Sequence, residues 1–129
     1  MNKIDWTNLY KIRIANSDPS FQKHEVVKTL LVMKLIHKNK SNKNWIRVYT
    51  EQELPNGNVC DVYFENIKDK SIVMYEIQKK YSNEWLERKK EEYSQINDYF
   101  MKTDFIPINL NECPDNLNEI NKWLDQFVV

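Results

Sequence analysis

Glycine is nearly absent from this chain of 129 residues: Gly57 is the only one, and there are four prolines. Because these two residue types supply most tight turns, their scarcity predicts few special turns and long regular elements. No apolar stretch approaches the roughly 20 residues that cross a membrane, and the first residues lack the pattern of a secretory signal. We therefore expect a cytoplasmic protein with no membrane partner.

Cysteine is scarce as well. Cys60 and Cys113 are not in a CxxC spacing, and no histidine lies at metal-ligand spacing from either. This pattern argues against a zinc cluster and predicts buried or free thiols in a reducing compartment. Hydrophobic residues make up 41% of the chain, too many for a disordered protein. The length fits one domain, residues 1–129, in which residues 1–20 form an N-terminal extension of unassigned structure.

The formal net charge of zero conceals an asymmetry along the chain. Residues 1–50 carry ten Lys and Arg against three acids, a balance of +7, whereas residues 51–129 carry nine against sixteen, a balance of −7. Such a chain can present a cationic face to a phosphate backbone and keep its acids for a metal. A solvated lysine-rich loop is the simpler interpretation of the basic run at 37–47.

The spacing of apolar residues predicts an α/β domain. Apolar positions at helical spacing predict a first helix, runs of β-forming residues then predict a three-stranded meander, and a charge-rich amphipathic pattern predicts a second helix. A further strand and a closing helix follow. The predicted helices are 21–37, 82–100 and 117–127, and the predicted strands are 45–54, 59–65, 71–79 and 103–110. We expect a mixed sheet flanked by helices, with 71–79 as a central strand covered on both faces.

Two acids lie on neighbouring strands of the predicted meander. Glu76 and Gln78 alternate onto one face of the third strand, and Asp61 can lie beside Glu76 across the hairpin. Two buried carboxylates repel each other and lose hydration unless a cation compensates. Mg²⁺ prefers oxygen ligands and retains positions for water and phosphate, so the pair suggests a metal-dependent phosphodiesterase site.

The order of the elements and the motif Asp61…Glu76-x-Gln78 resemble the PD-(D/E)xK nuclease superfamily, over roughly residues 21–110. The nearest pattern is the competence-associated CoiA-like and Holliday-junction-resolvase-like branch, in which Glu-x-Gln replaces Glu-x-Lys. The resemblance implies a restriction-endonuclease-like core and a catalytic metal, Mg²⁺ or Mn²⁺. It also implies functional roles for a His and Lys on the first helix and an Arg and Tyr on the second, here His24, Lys28, Arg88 and Tyr93.

Two departures from the superfamily pattern leave alternatives open. Cys60 replaces the motif proline, and Gln78 occupies the lysine position, so the catalytic lysine is Lys28, Lys79 or Lys80. A third acid can come from Glu25 on the first helix, or from Glu51 or Glu53 on the first strand of the meander. The candidate catalytic residues are therefore Asp61, Glu76 and Gln78 with Lys28 or Lys80, and the candidate metal ligands are Asp61, Glu76 and Glu25.

DNA is the expected partner, whether branched, single-stranded or duplex. The candidate nucleic-acid contacts are cationic residues of the basic run and of the two segments after the motif: Lys38, Lys40, Lys43, Arg47, Lys79 and Arg88. By analogy with resolvases of similar size, the chain can form a homodimer with two sites.

The leading hypothesis is a Mg²⁺- or Mn²⁺-dependent deoxyribonuclease of DNA recombination, repair or mobile-element processing. The alternatives are a catalytically inactive nuclease-like module that binds DNA or a protein, and a small α/β interaction protein in which the acid pattern is coincidental.

Overall fold

The computed structural model describes residues 10–11, 21–96 and 102–129. The helices are α1 (Gln22–Lys38), α2 (Asn83–Ser94) and α3 (Leu117–Trp123). The strands are β1 (Tyr10–Lys11), β2 (Ile46–Glu53), β3 (Val59–Asn66), β4 (Ser71–Gln78) and β5 (Lys102–Asn109). Short 3₁₀ segments cover Lys40–Trp45, Leu110–Glu112 and Leu124–Phe127.

The strands form one mixed sheet in the order β1-β2-β3-β4-β5. The meander β2-β3-β4 is antiparallel, whereas β1 pairs with β2 and β5 pairs with β4 in parallel. The predicted α/β class, mixed sheet and flanking helices are therefore confirmed. The turn between β2 and β3 contains Gly57 with a φ of +88°, a conformation that side chains other than glycine rarely adopt.

Strand β4 is buried along its whole interior, as predicted for a central strand. Apolar residues of α1 pack with alternate residues of β2, β3 and β4 on one face of the sheet, and α3 extends this core. On the other face, Tyr93 of α2 packs with Ile72 and Met74 and stacks on Phe105, with ring centroids 4.3 Å apart. Both faces of β4 therefore have a helical cover.

Several element ends differ from the sequence-based boundaries. Strand β4 ends at Gln78, so Lys79 and Lys80 leave the sheet. Helix α2 begins after Ser82, whose Oγ caps the helix by accepting a hydrogen bond from Trp85 N at 3.1 Å. The helix ends at Ser94, so the predicted helix is wrong at residues 95–96. Its predicted continuation through 97–100 lies outside the described residues, as does most of the N-terminal extension. Among the described helices, none is long and apolar enough to cross a membrane.

We expect Leu31→Ala to destabilise the fold by about 3 kcal/mol, because Leu31 is fully buried between α1 and the sheet and its loss leaves a cavity. Met33→Ala, on the same helix but 56% exposed, should change the free energy of unfolding by less than about 0.5 kcal/mol. Urea denaturation of both variants measures the difference. Equal effects would contradict the packing of α1 described above.

Candidate active site

The backbone pairing between β3 and β4 ends at Val62 and Tyr75, so Asp61 lies just beyond the last pair. Pairing runs from Asn66 and Ser71 to Val62 and Tyr75, and no further pair follows in this direction. Beyond that point, the Ile77 N–H donates a hydrogen bond to Asp61 Oδ2 at 2.7 Å. The Asp61 carboxylate therefore bridges the two strands where their backbones stop pairing. One carboxylate oxygen is held by the backbone, and Oδ1 is directed to other groups.

Glu76 is the second carboxylate at this end of the sheet, and only 8% of the residue is exposed. The Tyr93 hydroxyl donates a hydrogen bond to Glu76 Oε2 at 2.9 Å. The other oxygen, Oε1, has weaker contacts: Gln78 Nε2 lies 3.5 Å away and Lys89 Nζ lies 3.7 Å away. Since both distances exceed those of a good hydrogen bond, Oε1 is the less firmly held oxygen of Glu76.

The two carboxylates affect each other electrostatically. Burial raises the pKa of Glu76 above its ordinary value, and the charge of Asp61 raises it further, while Tyr93 and Lys89 act in the opposite direction. Burial also raises the pKa of the neighbouring Cys60 thiol, with contributions from Asp61 and Glu76. The ionised form of Glu76 is therefore costly in this protein, and an additional cation near Asp61 and Glu76 would reduce that cost.

His24, on helix α1, contacts Asp61 of this carboxylate pair and also Glu25 on its own helix. Its Nε2 lies 3.3 Å from Asp61 Oδ1, and its Nδ1 lies 3.2 Å from Glu25 Oε1. Burial by itself lowers the pKa of His24, but the bonds and charges of Asp61 and Glu25 outweigh burial, and the net shift is upward. The imidazolium form is therefore more favoured here than in an ordinary histidine.

Lys28 lies behind His24 on the same helix and is completely buried. Its Nζ is 2.6 Å from Glu25 Oε2 and 3.0 Å from Glu51 Oε1. Glu25 Oε2 is buried without hydrogen-bond geometry to any described group, so its contact with Lys28 is an ion pair rather than a hydrogen bond. Two carboxylates thus compensate the burial of this one lysine.

Glu51 reaches Lys28 because its backbone departs from strand geometry. Thr50 and Gln52 pair with β3, whereas Glu51 does not pair and has a φ of +51°. Regular alternation would direct Glu51 to the face of the sheet where Tyr49 stacks on Tyr63, away from α1. A left-handed conformation costs a residue other than glycine about 1 kcal/mol. The Lys28 contact accompanies that strain, as is common near functional sites.

A cavity of about 580 Å³ opens above the carboxylates. Its lining comes from α1 and the residue before it, from β3, from β4 and the residue after it, and from the 3₁₀ segment after β5: Phe21, Lys23, His24, Asp61, Glu76, Ile77, Gln78, Lys79, Leu110 and Asn111. The candidates Asp61, Glu76, Gln78 and Lys79 therefore share one cavity. The candidates Lys28 and Glu25 lie behind its wall, and Lys80 is exposed beyond the end of β4.

The other candidate nucleic-acid contacts lie elsewhere. Lys38 follows His24 by 14 residues of helix, which is about 21 Å along the axis. Lys40 and Lys43 continue from that end of α1, and Arg47 pairs with Glu65 near the opposite end of β2 from Glu51. Arg88 is exposed, 4.0 Å from Glu92. Of the predicted contacts, Lys79 alone lines the cavity.

Sequence reasoning missed two features of the site. The resemblance implies roles for Arg88 and Tyr93, but the structure brings Lys89 to Glu76 together with Tyr93. Lys89 lies four residues before Tyr93, whereas Arg88 lies five residues before it. Residues four apart share a helix face, so helical periodicity alone favours Lys89. No sequence pattern indicated that Phe21 and Asn111 line the cavity, because both lie in segments distant in sequence from the motif.

Carboxylate oxygens are the available metal donors at this site. Asp61 Oδ1 and Glu76 Oε1 are the less firmly held oxygens, and such donors suit Mg²⁺ or Mn²⁺. Gln78 adds an amide oxygen on the same cavity. Within 10–11, 21–96 and 102–129, no group of three or more His, Cys, Asp and Glu side chains is already arranged to hold a metal ion. A site would thus need two carboxylates with an amide, water or substrate oxygen, which is the form that Mg²⁺ sites often take.

Comparison with known proteins yields no match to a family model, to a curated protein or to a solved structure. The function must therefore be argued from the residues of this cavity and their geometry.

We expect Lys28→Met to reduce the free energy of unfolding by about 3 kcal/mol, because Glu25 and Glu51 lose the cation that compensates them. The matched control is Lys34→Met on the same helix. It breaks an ion pair with the exposed Asp125 and should cost less than about 1 kcal/mol. Urea denaturation at neutral pH compares them, and adding Glu51→Gln to Lys28→Met should restore part of the loss. Similar losses in the two lysine variants would be evidence against a buried ion-pair network.

We expect Glu76→Gln to be more stable than the wild type at pH 7 in the absence of divalent metal. The pKa of Glu76 is higher in the folded protein than its unfolded value of 4.5. The protonated carboxyl therefore contributes fully to the free energy of unfolding below pH 4.5, and this contribution is lost as the pH rises through the folded pKa. The advantage of the variant should therefore shrink as the pH falls toward 4. Thermal unfolding in EDTA measures it, with the exposed Glu119→Gln as control. A stability difference independent of pH would contradict this assignment.

Proposed function

We propose that this protein is a Mg²⁺- or Mn²⁺-dependent deoxyribonuclease that hydrolyses DNA phosphodiester bonds, in recombination, repair or mobile-element processing. The observation that carries the proposal is that the carboxylates of Asp61 and Glu76 line the same cavity. Each has one oxygen held firmly by an uncharged donor and one oxygen with weaker contacts. The firm contacts orient both carboxylates, and the longer contacts of Asp61 Oδ1 with His24 and of Glu76 Oε1 with Gln78 and Lys89 are ones that a hard cation could replace.

The proposed metal ligands are Asp61 Oδ1 and Glu76 Oε1, with the Gln78 amide as a further donor. A divalent cation bound there would act as a Lewis acid and offset the negative charge that accumulates on phosphate oxygens during hydrolysis. The Ile77 N–H and the Tyr93 hydroxyl hold Asp61 Oδ2 and Glu76 Oε2, and so set the directions in which Asp61 Oδ1 and Glu76 Oε1 point. This arrangement supports pre-organisation of the ligands, which reduces the reorganisation needed on binding.

The positive groups on the cavity support the same proposal. His24 and Lys79 line it, and His24 has a raised pKa. The Lys79 side chain can donate hydrogen bonds to phosphate oxygens, which is the role that the motif lysine would otherwise have. The two ring nitrogens of His24 contact Asp61 and Glu25, so His24 contributes its positive charge to the cavity rather than a direct hydrogen bond to phosphate. Lys28 is engaged by Glu25 and Glu51, so we assign it a supporting role for His24 rather than contact with DNA. Lys80 is exposed outside the cavity and we assign it no catalytic role.

A nuclease-like module without catalysis is the second candidate function. The observation that favours it is that Gln78 occupies the motif-lysine position, while the buried Lys28 is held behind the cavity wall by two carboxylates. Such a module would bind DNA or a protein partner without a requirement for metal. Its DNA binding would weaken steeply with salt, because phosphate contacts release counterions.

We expect metal-dependent cleavage of DNA that Asp61→Asn and Glu76→Gln each reduce by at least about 100-fold, since each removes one charged group from the metal site. Labelled single-stranded, linear duplex and four-way-junction DNA would be incubated with Mg²⁺, Mn²⁺ or EDTA. The control is Glu119→Gln, an exposed carboxylate on α3 distant in sequence from the site.

Circular dichroism confirms that the variants fold before activities are compared. Cleavage that persists in EDTA, or that both variants retain, would reject the proposed metal site. Absence of cleavage together with salt-sensitive DNA binding would favour the inactive module.

A further inference from the structure

We propose that the cavity accepts an unpaired nucleotide, so that the substrate is single-stranded DNA or the single-stranded part of a branched DNA. The inference rests on the proposed function, because it names the substrate class of the same site. It follows from the depth of the carboxylates, the aromatic group at the rim and the polar side chains between them.

The carboxylates lie at the floor of a cavity rather than on an open surface. The Asp61 side chain is 15% exposed and Glu76 is 8% exposed. A volume of about 580 Å³ is within the range of pockets that enclose small ligands. A base inside a duplex is stacked and paired, so it would have to be extruded, at a cost of a few kcal/mol, before it could enter such a cavity. A nucleotide in single-stranded DNA enters without that cost.

An aromatic ring stands at the rim of the cavity. Phe21 lines it and is 44% exposed. Its ring meets the His24 ring edge-on, with centroids 6.5 Å apart and an interplanar angle of 76°. This contact leaves a face of Phe21 available for a base. Stacking on aromatic side chains is the main way in which proteins hold unpaired bases.

Polar groups beside the ring have the chemistry of a nucleotide site. Lys79 is exposed on the cavity and has no ion pair among the residues that the structure describes, so its charge is available to a phosphate. Asn111 and Gln78 contribute side-chain amides, which can both donate to and accept from base edges. The cavity therefore combines a stacking surface, a cation and amides above the proposed metal ligands.

A second aromatic surface begins two residues after Lys79 in the chain. Tyr81 stacks on Trp85, with centroids 4.9 Å apart and planes inclined by 23°. Only Lys80 separates Tyr81 from the cavity residue Lys79 along the chain. The Tyr81–Trp85 pair is therefore a further aromatic surface near Lys79, and a single strand that occupies the cavity can extend toward it.

Binding without cleavage tests this inference. Fluorescence anisotropy in EDTA would measure the affinity for a short fluorescein-labelled single strand, for a duplex of the same sequence, and for an abasic strand with the same number of phosphates. We expect the single strand to bind about tenfold more tightly than either other probe at the same salt concentration, because it alone offers unstacked bases.

Variants of Phe21 separate stacking from charge. Phe21→Ala should weaken single-strand binding about tenfold and leave duplex binding unchanged, whereas Phe21→Trp should retain single-strand affinity because it keeps an aromatic face. Met33→Ala, which removes an exposed apolar side chain of α1 that does not line the cavity, should have no effect on either probe. Circular dichroism verifies that each variant is folded.

Equal or tighter binding of the duplex, equal loss on both probes in Phe21→Ala, or no DNA binding at all would overturn the inference. Its failure is distinguishable from failure of the proposed function. Phe21-dependent binding of single strands without metal-dependent cleavage would support this inference and reject the nuclease. Metal-dependent cleavage with a preference for duplex would support the nuclease and reject this inference.

Discussion

The site depends on the ion pairs that the buried ammonium group of Lys28 makes with two carboxylates. Taking a lysine out of water costs several kcal/mol unless carboxylates compensate it, and here Glu25 on α1 and Glu51 on β2 do so together. This ion pair joins the helix to the sheet. Because Glu25 also contacts His24, and His24 contacts Asp61, the position of α1 and the orientation of the Asp61 carboxylate are coupled. The strained backbone of Glu51 is part of the same arrangement.

Glu76 is oriented by an independent set of contacts on the opposite face of the sheet. Tyr93 and Lys89 extend from α2, and α2 is held to the turn between β2 and β3 because Asn58 donates a hydrogen bond to Glu92 at 3.0 Å. One carboxylate is thus supported by α1 and the other by α2, and they meet only where β3 and β4 stop pairing. This geometry explains why the acids share a cavity although their supporting residues occupy different faces of the sheet.

Periodicity was sufficient for most of the fold. The order of helices and strands, the meander and the double cover of β4 are confirmed, because each follows from local apolar spacing and from turn residues such as Gly57. Strand ends were less predictable. Lys80 would share the face of Glu76 if β4 ran as far as Lys80, but the strand ends at Gln78. Charged residues at an element end have weak local preferences, so tertiary pairing with β5 decides where the strand stops.

For the candidate site, the sequence by itself determined that Asp61, Glu76 and Gln78 lie on adjacent strands, since a short hairpin leaves little choice of register. Only the tertiary structure decided which cations accompany them. Lys28, Lys79, Lys80, Arg88 and Lys89 are all compatible with the pattern. Docking of the two helices buries Lys28, turns Lys89 toward Glu76, and leaves Lys79 on the cavity. The physical reason is that long side chains are positioned by the surfaces packed around them, which sequence spacing on one element does not specify.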